Sequence, residues 1–194
     1  MRRITPLIIA TAAIVALQVA CGDPGTVLQP DSRAAVAARA EAKAAESGAR
    51  RIEMLDACDP TSFNAAIGEG TCTRNGGLSF DQFIGQLTRR QVAEAWRFSP
   101  PKVEVRVGQS LLAINRGGEV HTFTEVEEFG GGIVPVLNQL SGNPDVAPEC
   151  LALAPSDFVP PGGTATDDVD EAGTEKYQCC IHPWMRTTVN ARGS

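Results

Sequence analysis

Histidine is nearly missing from this chain: its 194 residues include two, His121 and His182. A site that needs three or more imidazoles is therefore excluded. Basic clusters are missing as well. With a net charge of −6 and no long run of Lys or Arg, the chain lacks the footprint of a nucleic-acid partner. The acidity is mild and speaks for solubility alone. Aromatic side chains are few, whereas nineteen Gly and thirteen Pro supply frequent turns, the texture of a protein of short strands. Long apolar runs are also lacking. The longest, Leu7 to Ala20, is interrupted by Thr11 and Gln18 and falls short of the roughly twenty apolar residues of a membrane span.

That run follows the basic Met1-Arg2-Arg3, and the pair reads as an export signal over residues 1–20. The expected location is the periplasm or cell envelope. Leu17-Gln18-Val19-Ala20-Cys21-Gly22 resembles a bacterial lipoprotein cleavage site, although Gln18 stands where Leu is usual. A lipidated Cys21 would tether the protein to a membrane; ordinary cleavage is the alternative.

Six cysteines in an exported chain should mostly be committed. If Cys21 is lipidated and one of Cys179 and Cys180 holds a metal, four remain for two disulfides. Cys58 and Cys72 lie close together around a Gly-containing turn, so they are paired first, which leaves Cys150 for Cys180. Sequence alone leaves the connectivity open.

The length suits one ordinary domain with a tail, or at most two small domains. Residues 21–55 read as an Ala-rich tether or spacer helix with little to bury, or as a partly disordered leader. Residues 56–101 read as a helical extension packed on a β domain. Asp59-Pro60 is a helix start, and Ser79 with Gln82 forms a capping box ahead of a helix over Phe80 to Ala95. Nothing in this segment looks catalytic. From 102 to 194 the pattern is β, with strands expected over 102–107, 110–115, 119–126, 164–170, 175–181 and 186–190. The stretch 127–163 is too long for a structureless loop, so a short helix or turn pinned by a disulfide is expected in it.

The donors concentrate in Tyr177-Gln178-Cys179-Cys180-Ile181-His182-Pro183-Trp184-Met185. Thiolate, imidazole and thioether together favour copper, and Cys with two His and a weak axial Met is the donor set of electron-transfer copper sites. The loop supplies three such donors and His121 the fourth. Strand alternation sends Cys179 and Cys180 to opposite faces. Cys179 gives C-x2-H-x2-M, with enough backbone for His182 and Met185 to fold back, whereas Cys180 gives C-x-H. Cys179 is therefore the expected ligand, and Pro183 stiffens the turn. Zinc held by Cys179, Cys180 and both histidines is the rival.

The pattern Tyr177-x-Cys179-x-x-His182-Pro183-Trp184-Met185, with His121 on an earlier strand, resembles the cupredoxins, the blue-copper family of plastocyanin, azurin and amicyanin. Its short ligand loop is closest to that of amicyanin. The resemblance covers about Lys102 to Val189 and implies a Greek-key β-sandwich, one type 1 copper held by His121, Cys179, His182 and Met185, and one-electron transfer. The family often carries Asn after the first histidine; Thr122 stands here, with a hydroxyl able to make a similar contact. The resemblance also implies an electron exit through the edge of His182, with redox partners docking transiently near His182, Pro183 and Trp184.

The expected protein is a monomeric electron carrier and not an enzyme, since the closed donor set leaves no position for substrate. Multicopper oxidases and copper nitrite reductases need further histidines. A dinuclear copper site needs two separated bridging cysteines, which adjacent Cys179 and Cys180 are not. A copper carrier or sensor using the same donors is the alternative.

Overall fold

Alternation of apolar and polar residues organises two four-stranded sheets in a computed structural model that describes residues 30–193. The expected export signal and Cys21 lie outside the described residues. One sheet has the order β2-β1-β4-β8, from β1 (Arg50–Leu55), β2 (Arg97–Ser99), β4 (Ser110–Asn115) and β8 (Thr164–Asp168). The other has the order β3-β10-β9-β6, from β3 (Lys102–Arg106), β6 (Thr124–Val126), β9 (Gly173–Gln178) and β10 (Arg186–Arg192). Ile52, Met54, Leu111 and Ala113 of the first sheet share one core cluster with Val103, Val105, Tyr177 and Val189 of the second. The protein is thus a β-rich sandwich with helices in its N-terminal part.

Two parallel pairings knit distant segments together. β1 runs parallel to β4, with Ile52 opposite Ala113, and β10 runs parallel to β3, with Val189 opposite Val103. The first corrects the reading of residues 21–55 as one spacer helix. Helix α1 spans Pro30–Ser47, and the chain then becomes strand β1. Ile52 and Met54 alternate on β1 and are fully buried. Burying two such side chains contributes roughly 1.5–3 kcal/mol each, more than the helix propensity they forgo. Nor is α1 solvated all round: it lies against β4, Ala37 is buried, and Glu41 pairs with Arg51 and Arg116 at 3.3 and 2.6 Å.

The expected helices within 56–101 form and pack on the sandwich. In α2 (Pro60–Ala66), Asp59 caps the first turn by accepting the Ser62 N–H at 2.9 Å. In α3 (Phe80–Arg90) the capping box of Ser79 and Gln82 is complete. This helix is shorter than expected, because Gln91 adopts a left-handed conformation (φ 59°) that ends it. Phe83 and Leu87 are buried on its inner face, among Phe63 and Trp96.

The strand expected over 119–126 is divided. β5 (His121–Thr122) pairs with β7 (Phe158–Val159), while β6 pairs with β9. Phe123 between them stacks on Tyr177 at 4.4 Å. The long stretch 127–163 contains α4 (Pro135–Leu140) and two short 3-10 turns, one carrying Cys150. Both disulfides form as paired in the sequence reading, Cys58 with Cys72 and Cys150 with Cys180.

Candidate metal centre

β9 and β10 are antiparallel neighbours, with Gln178 opposite Arg186, so residues 179–185 form the loop that joins them. The Cys179 N–H donates to the Met185 carbonyl at 3.0 Å, and the Met185 N–H to the His182 carbonyl at 2.9 Å. The loop is thereby folded so that His182 turns back over Cys179. Cys180 faces away into its disulfide, which removes it from a zinc site of two cysteines. Among the described residues, Cys179 carries the free thiol, and it is buried.

His121 arrives from β5. Its Nδ1 lies 3.8 Å from the Cys179 sulfur, and so does Nδ1 of His182. The three donor atoms all lie within 4.8 Å of one another, and all three side chains are buried. With sulfur about 2.3 Å and nitrogen about 2.0 Å from a shared ion, a trigonal angle separates them by about 3.7 Å and a tetrahedral one by about 3.5 Å. The observed 3.8 Å separations lie nearer the trigonal value. Soft sulfur, paired imidazoles and this spacing fit copper.

The surroundings favour a thiolate. The Thr122 N–H donates to the Cys179 sulfur at 3.4 Å. Burial would push the Cys179 thiol up, but hydrogen bonds to both histidines and their charges hold it well below the usual thiol range. Thr122 also braces the loop, for its hydroxyl accepts the Cys180 N–H at 2.8 Å.

The far nitrogen of each histidine meets a carboxylate. Asp56 Oδ2 lies 3.0 Å from His121 Nε2, and Glu119 Oε2 lies 3.8 Å from His182 Nε2. Burial acts downwards on His121, yet its bonds to Asp56 and Cys179 lift it to about 9. For Asp56 burial acts upwards, but the bond from His121 and the N–H groups of Gly118 and Glu119 bring it to about 2. Burial raises Glu119, partly opposed by His182 and Trp96.

Sequence reasoning brought His121, Cys179 and His182 together and missed Asp56, Glu119 and Trp96. Glu119 carried a signal, since it stands two residues before His121 where strand alternation repeats a face. Asp56 carries none, because it stands at the edge of the segment that reads as an extension. Met185 is fully buried at the end of the loop.

The expectation that the edge of His182 reaches solvent is corrected. His182 is 3% exposed and Pro183 is buried. The rings of Phe83 and Trp184 meet His182 edge-on at 6.4 and 5.5 Å, and the Trp184 indole N–H donates to Ala93 O at 3.2 Å. The cover comes from α3 and the turn after it, which a minimal sandwich lacks. Trp184 itself is part-exposed.

The solved structures to which the chain is similar include cupredoxins. The chain is similar to a purple cupredoxin from Nitrosopumilus maritimus, at 17% identity and a TM-score of 0.42 over 74% of this chain and 99% of that one. It is also similar to two amicyanin variants in solved structures. One, in the Cu(I) state, shares 22% identity (TM-score 0.34) over 50% of this chain and 73% of that one. The other, a reduced Cu(I) form at pH 4, shares 24% (TM-score 0.35) over 52% and 77%. No protein-family profile and no curated protein matches the chain.

Proposed function

We propose that the chain binds one copper ion through His121, Cys179 and His182, with Met185 as a weaker fourth donor, and carries single electrons between redox proteins. The observation that carries this reading is the pair of 3.8 Å separations between the Cys179 sulfur and the two Nδ1 atoms. Copper bound there would supply a one-electron couple between Cu(I) and Cu(II). The protein's part is to hold the donors still in both states. Cys179 is fixed by the Thr122 N–H and by its own bond to Met185, and the loop is anchored by Thr122 and the Cys150–Cys180 disulfide.

Burial of all three donors supports an electron carrier over a copper-delivery or sensing protein, which must open its site to exchange metal. The closed set leaves no position for a substrate, so the reading is non-catalytic. Trp184 touches the His182 ring and is part-exposed, and it is the surface over which a redox partner would dock, in a small and transient contact. Export to the periplasm or cell envelope and a tether at Cys21 belong to the same reading, and rest on residues 1–22.

The optical and electron-spin spectra of the copper-loaded protein test it. An intense thiolate-to-copper visible band is expected, and its absence would overturn the proposal. Challenge with a modest chelator separates the two roles: an electron carrier keeps its copper through repeated oxidation and reduction, whereas a delivery protein loses it.

A further inference from the structure

Neither carboxylate at the centre belongs to the donor set, yet each is held as firmly as a ligand. The Asp56 side chain is 1% exposed. Its Oδ1 accepts the N–H groups of Cys58 and Gly118 at 3.3 and 2.9 Å, and its Oδ2 accepts that of Glu119 at 3.0 Å. With those bonds made, the strong partner left to Oδ2 is His121 Nε2 at 3.0 Å. Glu119 is tied at both ends. Its Oε2 accepts the Trp96 indole N–H at 2.5 Å, and its carbonyl accepts the Asn115 amide at 2.7 Å. From there Oε2 faces His182 Nε2 at 3.8 Å.

We propose that Asp56 is a positioning residue for His121, aiming its Nδ1 at Cys179, and that Asp56 and Glu119 together favour the oxidised copper ion over the reduced one. The inference rests on the copper reading above. A ligand histidine that gives its second N–H to a carboxylate is fixed in tautomer and ring orientation and becomes a better donor. Negative charge close to a metal in a poorly solvated pocket stabilises the more highly charged oxidation state, because the Coulomb interaction there is weakly screened. Both effects act in one direction on the couple. Segment 56–101 supplies Asp56 and the Trp96 that holds Glu119, so what the sequence presents as an extension is part of the centre.

The test is the reduction potential of the copper-loaded full chain carrying Asp56→Asn or Glu119→Gln, with Glu128→Gln, an exposed carboxylate outside the centre, as the control. Both variants should keep the visible band and raise the potential. For Asp56→Asn we expect the ratio of Cu(II) to Cu(I) affinity to fall about tenfold, an upward shift of about 59 mV for one electron. Glu119→Gln should give a smaller rise, since its contact is longer, and Glu128→Gln should give none. Intact bands with unmoved potentials in both variants would overturn the proposal while leaving the copper reading standing. A wild-type protein without the band would overturn both.

Asp56→Asn sets an amide N–H against backbone N–H groups and can fail to fold. Proton NMR of the wild-type Cu(I) protein then decides its part. The His121 Nε2–H should resonate far downfield and exchange slowly with water. An ordinary shift with fast exchange would remove Asp56 from the proposal's support and overturn that half of it.

Discussion

The hydroxyl of Thr122 accepts the backbone N–H of Cys180 at 2.8 Å, joining the residue after one histidine to the residue after the thiolate. A single side chain thus ties β5 to the ligand loop at a buried position. In Thr122→Val the shape is kept and the acceptor is lost, leaving the Cys180 N–H unpaired at a cost of about 1–3 kcal/mol. Denaturant unfolding should show that loss, and the copper-loaded variant should show broadened electron-spin lines from a less uniform site. Unchanged stability and lines would mean that the bond does not brace the loop.

The adjacent cysteines divide their work, and exchange with serine separates them. Cys179→Ser should abolish the thiolate-to-copper band. Cys180→Ser should keep it and lower stability by about 2–5 kcal/mol through loss of the disulfide to Cys150. If the two spectra came out interchanged, the ligand assignment would be reversed.

Gly117 leaves no room for a side chain, because a Cβ there would overlap the Asp56 carboxylate. Gly117→Ala should therefore push Asp56 away from His121 Nε2 and weaken copper binding about 10–100-fold. A competition titration against a chelator of known affinity measures it. Wild-type affinity in a folded Gly117→Ala protein would show that the carboxylate can yield without consequence.

Phe83 and Trp184 cover His182 from opposite chain segments, and they should respond differently to truncation. Phe83→Ala opens a cavity in the aromatic cluster and should cost about 3–5 kcal/mol, read by denaturant unfolding. Trp184→Ala should leave the copper spectrum in place and lower the second-order rate of electron exchange with a redox protein. A rate equal to wild type would place docking elsewhere.

The three nearest donors were legible because histidine is so scarce: with two in the chain, a motif holding one points directly to the other. Thr122 was legible as the substitute for a bracing residue, and alternation separated Cys179 from Cys180. What escaped was everything that depends on long-range packing. Ile52 and Met54 alternate as a strand should, but the Ala-rich run before them masks the change of period. The cover over His182 comes from α3, nearly one hundred residues away along the chain, and its capping box announces a helix without saying where it docks. Asp56 lies between these two segments, so its role appears only once β1 has brought it beside Gly118 and Glu119.

The parallel pairing of β3 with β10 has a consequence for the order of assembly. β10 is the last of the described strands, yet it lies inside its sheet, between β3 and β9. A chain that emerges from its N-terminus carries Asp56 and His121 through a period when that sheet still lacks an interior strand. The sheet closes only when β10 is in place, and until then the loop ahead of it, which carries Cys179, His182 and Met185, is held from one side alone.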